Sequence, residues 1–214
     1  LDAGLKTLKY IIGVGGIPVI AGHLGRQGGQ IISEPSTSQL KPYFDSNLKG
    51  RYELLENLRF DPREETNDLG FAKELAQKGD IYVNESFATC HRKSASIVSI
   101  ASVLPSYAGF QLVRELETLK KILVNPARPF LAIIGGAKIE SKKPVIQKFA
   151  QIADGVLVGG RLVLEESIIM ERVYCPVDYI DNKDIGPQTL EGWREMILNA
   201  KTVVWAGPMG LFED

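Results

Sequence analysis

Phe130-Leu131-Ala132-Ile133-Ile134-Gly135-Gly136-Ala137-Lys138-Ile139-Glu140-Ser141-Lys142 is the stretch whose reading decides the fold. The apolar run Phe130–Ile134 has the length and uniform hydrophobicity of a parallel strand buried on both faces. Gly135-Gly136 ends it with a turn that can take positive φ and has no Cβ to hold a ligand off the backbone. Lys138 and Lys142 follow four residues apart and would share one face of a helix starting there. A strand, a glycine turn, a helix start and two ammonium groups are the parts of a polyphosphate cradle. Taken alone, the segment reads equally well as an ordinary strand-to-helix turn with solvated lysines. It contains neither G-x-x-x-x-G-K-[ST] nor G-x-G-x-x-G.

Working outward, the same pattern recurs upstream. Ile17–Ala21 reads as a short buried strand running into Gly22-His23-Leu24-Gly25-Arg26. Tyr52–Leu55 leads into Glu56-Asn57-Leu58-Arg59-Phe60, and Asp80–Asn84 is a third strand with His91, Arg92 and Lys93 after it. Each strand thus ends on imidazole or guanidinium groups. In a parallel sheet these ends are neighbours, so the groups would converge on one basic patch suited to carboxylate and phosphate. Singly, His23 reads as a satisfied structural histidine; the convergence is what points to function. Downstream, Gly155–Val158 is another strand, and Gly159-Gly160 gives a second strand-end turn where a nucleotide could approach the backbone.

Helical patterns fall between the strands. They cover Leu5–Ile12, weakly Gln39–Phe44, Glu64–Gln77 with its charges on a solvated face, Ile97–Leu104 broken by Pro105, Pro144–Ile152 and Gln188–Ala200. Val173–Val177 resembles a strand, and Thr202–Trp205 is the last one. Leu112, Leu116, Leu119 and Leu123, three to four apart, predict a long amphipathic helix over Gly109–Val124. The alternation predicts an α/β protein of two halves with parallel strands, and the helix over Gly109–Val124 is the joint between them.

The bulk properties bound the function. A chain of 214 residues, 44% hydrophobic, can bury a real core, and a net charge of −1 exerts no global pull on nucleic acid or membrane. Any anion site must be a local concentration of basic groups. Cys90 and Cys175 form no CxxC, so neither a zinc site nor a disulfide framework is expected. With no signal pattern and no long apolar run, a soluble, untargeted, cytoplasmic protein is expected.

In combination, Gly22–Arg26, Leu54–Phe60 (LLENLRF), Asp80–Ser96, Gly135–Lys142 and Thr202–Glu213 resemble the phosphoglycerate kinase family, in the family's order and over nearly the whole chain. The resemblance implies two Rossmann-like three-layer α/β/α halves with parallel sheets, residues 1–108 and 126–214, joined by a hinge helix at 109–125, in a monomer. It also implies direct phosphoryl transfer between 1,3-bisphosphoglycerate and ADP, giving 3-phosphoglycerate and ATP on domain closure, with Mg2+ accompanying the nucleotide. By the same resemblance, His23, Leu24, Gly25, Arg26, Arg59 and Arg92 would hold the triose. Gly136, Ala137, Lys138, Lys142, Gly159 and Gly160 would line the nucleotide site, and Glu213 would accept hydrogen bonds from the ribose. Lys142, Lys138 and Arg92 would neutralise the transferring group. Such a transfer needs positioning and charge, and no Ser or Cys nucleophile.

There are departures from the family pattern. Ser94 stands where a second imidazole is usual, with Lys93 beside it as a substitute charge; Ala206 replaces an Asn and Glu85 an Asp. The family's two Asp-bearing end motifs have no match here, so the metal ligand stays unknown. Chain is also short between Gly29 and Leu54, around Gly160–Val163 and across Val177–Asp184. The expectation is that these 214 residues are part of a longer chain; the alternative is a truncated, catalytically inactive nucleotide- or anion-binding relative. A dinucleotide-binding oxidoreductase is disfavoured by the missing fingerprint and the missing acid after the second strand.

Overall fold

The structure, a computed structural model, describes residues 1–25, 36–136, 139–165 and 168–210. Of the expected site residues, Arg26, Ala137, Lys138 and Glu213 lie outside them. The chain divides into two compact units, Leu1–Thr118 and Leu119–Asp214.

The first unit carries α1 (Leu5–Gly13), β1 (Val19–Ile20), α2 (Lys41–Leu48), β2 (Glu53–Leu54), α3 (Pro62–Glu65), α4 (Leu69–Ala76), β3 (Tyr82–Asn84) and β4 (Ser106–Ala108). It also holds the start of α5 (Phe110–Val124), within which the two units meet in sequence. The strands form two separate parallel ladders, β1–β2 and β3–β4. The single sheet expected from the sequence is therefore divided, because strands of two and three residues make few ladder bonds. Val19–Ile20 is only half-buried and Ile17 is 71% exposed, so the IPVIA run is not the buried strand its composition suggests.

The helix expected over Glu64–Gln77 is cut in two. Asn67 takes a left-handed φ of 58°, and Asp68 restarts the chain as an N-cap, accepting a hydrogen bond from Phe71 N at 2.7 Å. Its charges are not all solvated either, since Glu64 has no exposed surface. The helix before Pro105 is a π turn, Ala95–Ser99, followed by a 3-10 turn, Ile100–Ser102. Helix α5 forms as its leucine spacing requires, yet only Leu112 is buried, while Leu116, Leu119 and Leu123 are exposed.

A short fan of elements completes the first unit through Glu85. Its Oε1 accepts from Thr7 Oγ1 of α1 at 2.6 Å and from Gln111 N in the first turn of α5 at 3.3 Å. A negative group at a helix N-terminus is favourable. The carboxylate is packed so closely against Gly109 that a Cβ there would overlap it.

The second unit follows the sequence more closely. After α5 come β5 (Phe130–Ile134), α6 (Ile139–Ile152), β6 (Gly155–Val158), α7 (Leu162–Glu165), β7 (Val173–Tyr174), β8 (Tyr179–Ile180), β9 (Asp184–Ile185), α8 (Pro187–Asn199) and β10 (Thr202–Ala206). Four strands form one parallel sheet in the order β10-β5-β6-β7. Alternation along β5 and β6 sorts side chains to the two faces. Phe130, Ala132, Ile134, Val156 and Val158 pack with Ile139, Ile146 and Leu162 from α6 and α7. Leu131, Ile133 and Leu157 pack with Trp193 of α8 on the other face. That is a three-layer α/β/α sandwich, as the buried FLAII run implies.

Two local readings differ. Helix α6 begins at Ile139, not Pro144, and carries the proline inside it. The strand read at Val173–Val177 is limited to Val173–Tyr174, and an antiparallel hairpin, β8–β9, follows, turning through left-handed Asp181 and Asn182.

Because Ile134 has no exposed surface at the centre of this core, Ile134→Ala is expected to destabilise the second unit by about 2–5 kcal/mol. Chemical denaturation followed by Trp193 fluorescence checks this.

Candidate functional site

In the second unit, the C-terminal ends of β5, β6 and β10 carry three glycine turns that pack backbone against backbone. Gly136, Gly160 and Gly207 take φ of 126°, 69° and 93°, conformations that favour glycine. A Cβ on Gly160 would lie 2.8 Å from Gly136 O and 3.0 Å from Gly136 N. A Cβ on Gly207 would overlap Gly135 O, and one on Gly135 would overlap Pro208 O. Gly135, Gly160 and Gly207 thus meet main-chain groups, which form the floor here, while the Met209 and Ile185 side chains close in on Gly159.

The position has a topological reason. From β5 the chain crosses through α6 to β6 on one side, whereas β10 joins β5 from the other side after α8. The sheet order thus reverses at β5, which opens a crevice above the carboxyl ends of β5 and β10. Lys142, at the end of the first turn of α6, lies back over it: its Cε is 3.6 Å from where a Cβ on Gly136 would be. Of the residues the sequence marks, Gly136, Gly160 and Lys142 are brought together, with Gly159 adjoining Gly160. Gly207 and Pro208 belong to the same cluster, and their mark in the sequence is Gly-Pro directly after the TVVWA strand.

In the first unit, the ends of β1 and β2 meet. Asn57 clamps the turn after β1: its side-chain oxygen accepts from Leu24 N at 3.3 Å and its Nδ2 donates to Leu24 O at 2.6 Å. Arg59 is 8% exposed and donates to the carbonyl of Gly25, with Glu65 at 3.5 Å from its Nε. It is buried beneath the turn instead of standing on the surface. His23 Nε2 is 2.7 Å from Glu64 Oε1. His23, Leu24, Gly25 and Arg59 thus form one cluster.

Arg92, after β3, is half-buried, and its guanidinium makes no ion pair or hydrogen bond among the described residues. Its ladder is separate from that of β1 and β2, but Ser96, four residues on, binds Glu64 through both its N–H and its hydroxyl. The chain after β3 is therefore tied to His23 through Glu64. Ser94 is buried, and Lys93 is exposed.

Glu56 anchors the next layer. Burial raises its pKa, but hydrogen bonds from Asn57 N, Ser36 Oγ, Thr37 N and Thr37 Oγ1 outweigh that and hold it down to about 2. A depressed carboxylate adds stability that is present above its unfolded value, near 4.3, and lost as pH falls toward the folded value. The first unit is expected to lose stability between about pH 4.5 and pH 2, and Glu56→Gln to remove that part of the dependence in a urea titration repeated across the window. Separately, Gly207→Ala is expected to cost about 1–3 kcal/mol or more from backbone strain, whereas Gly13→Ala, which meets nothing within 4 Å, should not destabilise; thermal unfolding of the two variants compares them.

Among the described residues, no group of three or more His, Cys, Asp or Glu side chains could hold a metal ion, and no helix is long and apolar enough to cross a membrane.

A phosphoglycerate kinase family model matches residues 43–171 and 166–214. The phosphoglycerate kinase of Roseiflexus castenholzii is 33% identical over 289 residues, spanning 100% of this chain and 73% of the relative. That of Chlorobium phaeobacteroides is 35% identical over 284 residues, spanning 98% and 72%. Among solved structures, phosphoglycerate kinase from Coxiella burnetii superposes with a TM-score of 0.78 at 25% identity, covering 99% of this chain and 72% of that one. The Pyrococcus horikoshii OT3 enzyme shares the fold with a TM-score of 0.82 at 24% identity, covering 99% and 73%.

Proposed function

The chain belongs to the phosphoglycerate kinase family, and from that premise we propose that it transfers a phosphoryl group between 1,3-bisphosphoglycerate and ADP, yielding 3-phosphoglycerate and ATP in the cytoplasm. The observation that carries this reading is the crevice over β5 and β10, floored by main-chain groups and overhung by Lys142. Such a floor suits a nucleotide, because phosphates and ribose can approach peptide groups without meeting side chains. In this reading Gly136, Ala137, Gly159 and Gly160 line the nucleotide. Lys142 and Lys138 balance the charge spread over the transferring group, and Glu213 receives the ribose hydroxyls.

The triose belongs to the first unit, with His23, Leu24, Gly25, Arg26, Arg59 and Arg92 around its carboxylate and phosphate. Transfer in line requires the two anion sites to meet, so the reading includes closure of residues 1–108 on residues 126–214 about the segment 109–125, in a monomer. Closure excludes water, which would otherwise compete for the phosphoryl group. In this reading Mg2+ accompanies the nucleotide, where it would neutralise phosphate charge.

A second reading is favoured by one observation. The Roseiflexus relative uses 289 residues for the span this chain covers with 214, so the family's interior segments are shortened here. On that reading the protein binds nucleotide or anion without turnover.

A coupled assay of ADP formation from ATP and 3-phosphoglycerate separates the two. Triose-dependent turnover is expected, with Lys142→Met lowering kcat by about a hundredfold or more and His23→Ala raising chiefly the KM for 3-phosphoglycerate. Nucleotide binding without triose-dependent turnover would establish the inactive relative.

A further inference from the structure

Glu64 is a fully buried carboxylate whose bonds all lead to the triose side of the first unit. Its Oε1 lies 2.7 Å from His23 Nε2 and 2.6 Å from Ser96 Oγ, and its Oε2 accepts from Ser96 N at 3.0 Å. These partners are 41 and 32 residues away in sequence, so the contact is no local helix cap. A buried carboxylate is costly unless its oxygens are met by donors. Ser96 supplies two donors and fixes the plane of the carboxylate; the remaining strong bond then fixes the imidazole.

With Glu64 as the acceptor, Nε2 of His23 is the N–H donor. Nδ1 is left as the available ring nitrogen, and it has no hydrogen-bond partner among the described residues. The His23 side chain is 12% exposed and that of Glu64 is 0% exposed, so the ring reaches the surface and the acid does not. We propose that Glu64, braced by Ser96, is a positioning residue that keeps the proton on His23 Nε2 and presents Nδ1 to the carboxylate or phosphate of the triose ligand. An anion bound at Nδ1 needs a proton there, and a carboxylate on the far side of the ring stabilises the imidazolium that results. Ser96 also ties the stretch that carries Arg92 to the ring that shares its ligand. The proposal rests on the triose reading of this cluster.

The chain has only two histidines, which makes the test direct. Long-range 15N–1H imidazole spectra, assigned with His91→Gln, are expected to show His23 protonated at Nε2; a proton on Nδ1 with bare Nε2 overturns the proposal. In steady-state assays, Glu64→Gln is expected to raise the KM for 3-phosphoglycerate about tenfold, the loss of one charge-assisted hydrogen bond, with kcat and the KM for ATP within about twofold. Ser96→Ala should move the same constant in the same direction by less. An unchanged triose KM, or equal changes in both KM values, overturns it. If Glu64→Gln does not fold, the wild-type spectrum and Ser96→Ala decide. If the wild-type protein does not turn over, the kinase reading fails by itself, and a shift of the His23 signals on adding 3-phosphoglycerate still tests the positioning role.

Discussion

The close approach of Gly135 to Gly207 and Pro208 is the constraint on which the second unit depends. It is possible only because three strand ends carry glycine, and it lets the turns after β5, β6 and β10 share one floor. The packing beneath permits this: β5 and β6 are buried on both faces, so their ends are held in register by hydrophobic layers above and below the sheet. Rigid strands fix the turns, and the turns fix where a ligand can meet the backbone. Lys142 enters from α6, which follows the same glycine pair in sequence. Core, crevice and charge therefore derive from one stretch of sequence.

The first unit is organised by buried polar groups more than by hydrophobic layers. Asn57, Arg59 and Glu64 are all buried, and each reaches across from one chain segment to another. Buried polar groups of this kind specify geometry because any alternative arrangement leaves them unpaired. Short strands can therefore present His23 and the Gly22–Gly25 turn in a defined place. Glu85 does the same for the start of α5, linking it to Thr7 and closing tightly on Gly109.

The legibility of the sequence followed this difference. FLAII, GVLV and TVVWA are long, uniformly apolar or β-branched runs, and each became a strand of one parallel sheet with glycine at its end. The amphipathic pattern of α5 also gave its helix. IPVIA misled because composition alone does not report burial, and the run pairs over only two residues. Glu64 looked like one more solvated helix charge; its partners are distant in sequence, and no periodicity marks a long-range hydrogen bond. Asn67-Asp68 did carry a readable signal, a left-handed turn followed by an N-cap, which outweighed the helical pattern around it. Gly207-Pro208 after TVVWA marks a strand-end turn, but its place beside Gly135 comes from the strand order, which puts β10 next to β5.

The most direct test of the central claim is a titration of Mg-ADP into protein labelled with 15N-glycine, followed through the glycine amides. The account predicts that Gly136, Gly159, Gly160 and Gly207 shift together and saturably, while Gly13, Gly50 and Gly79 stay in place. Shifts confined to glycines of the first unit, or none at saturating nucleotide, would contradict it.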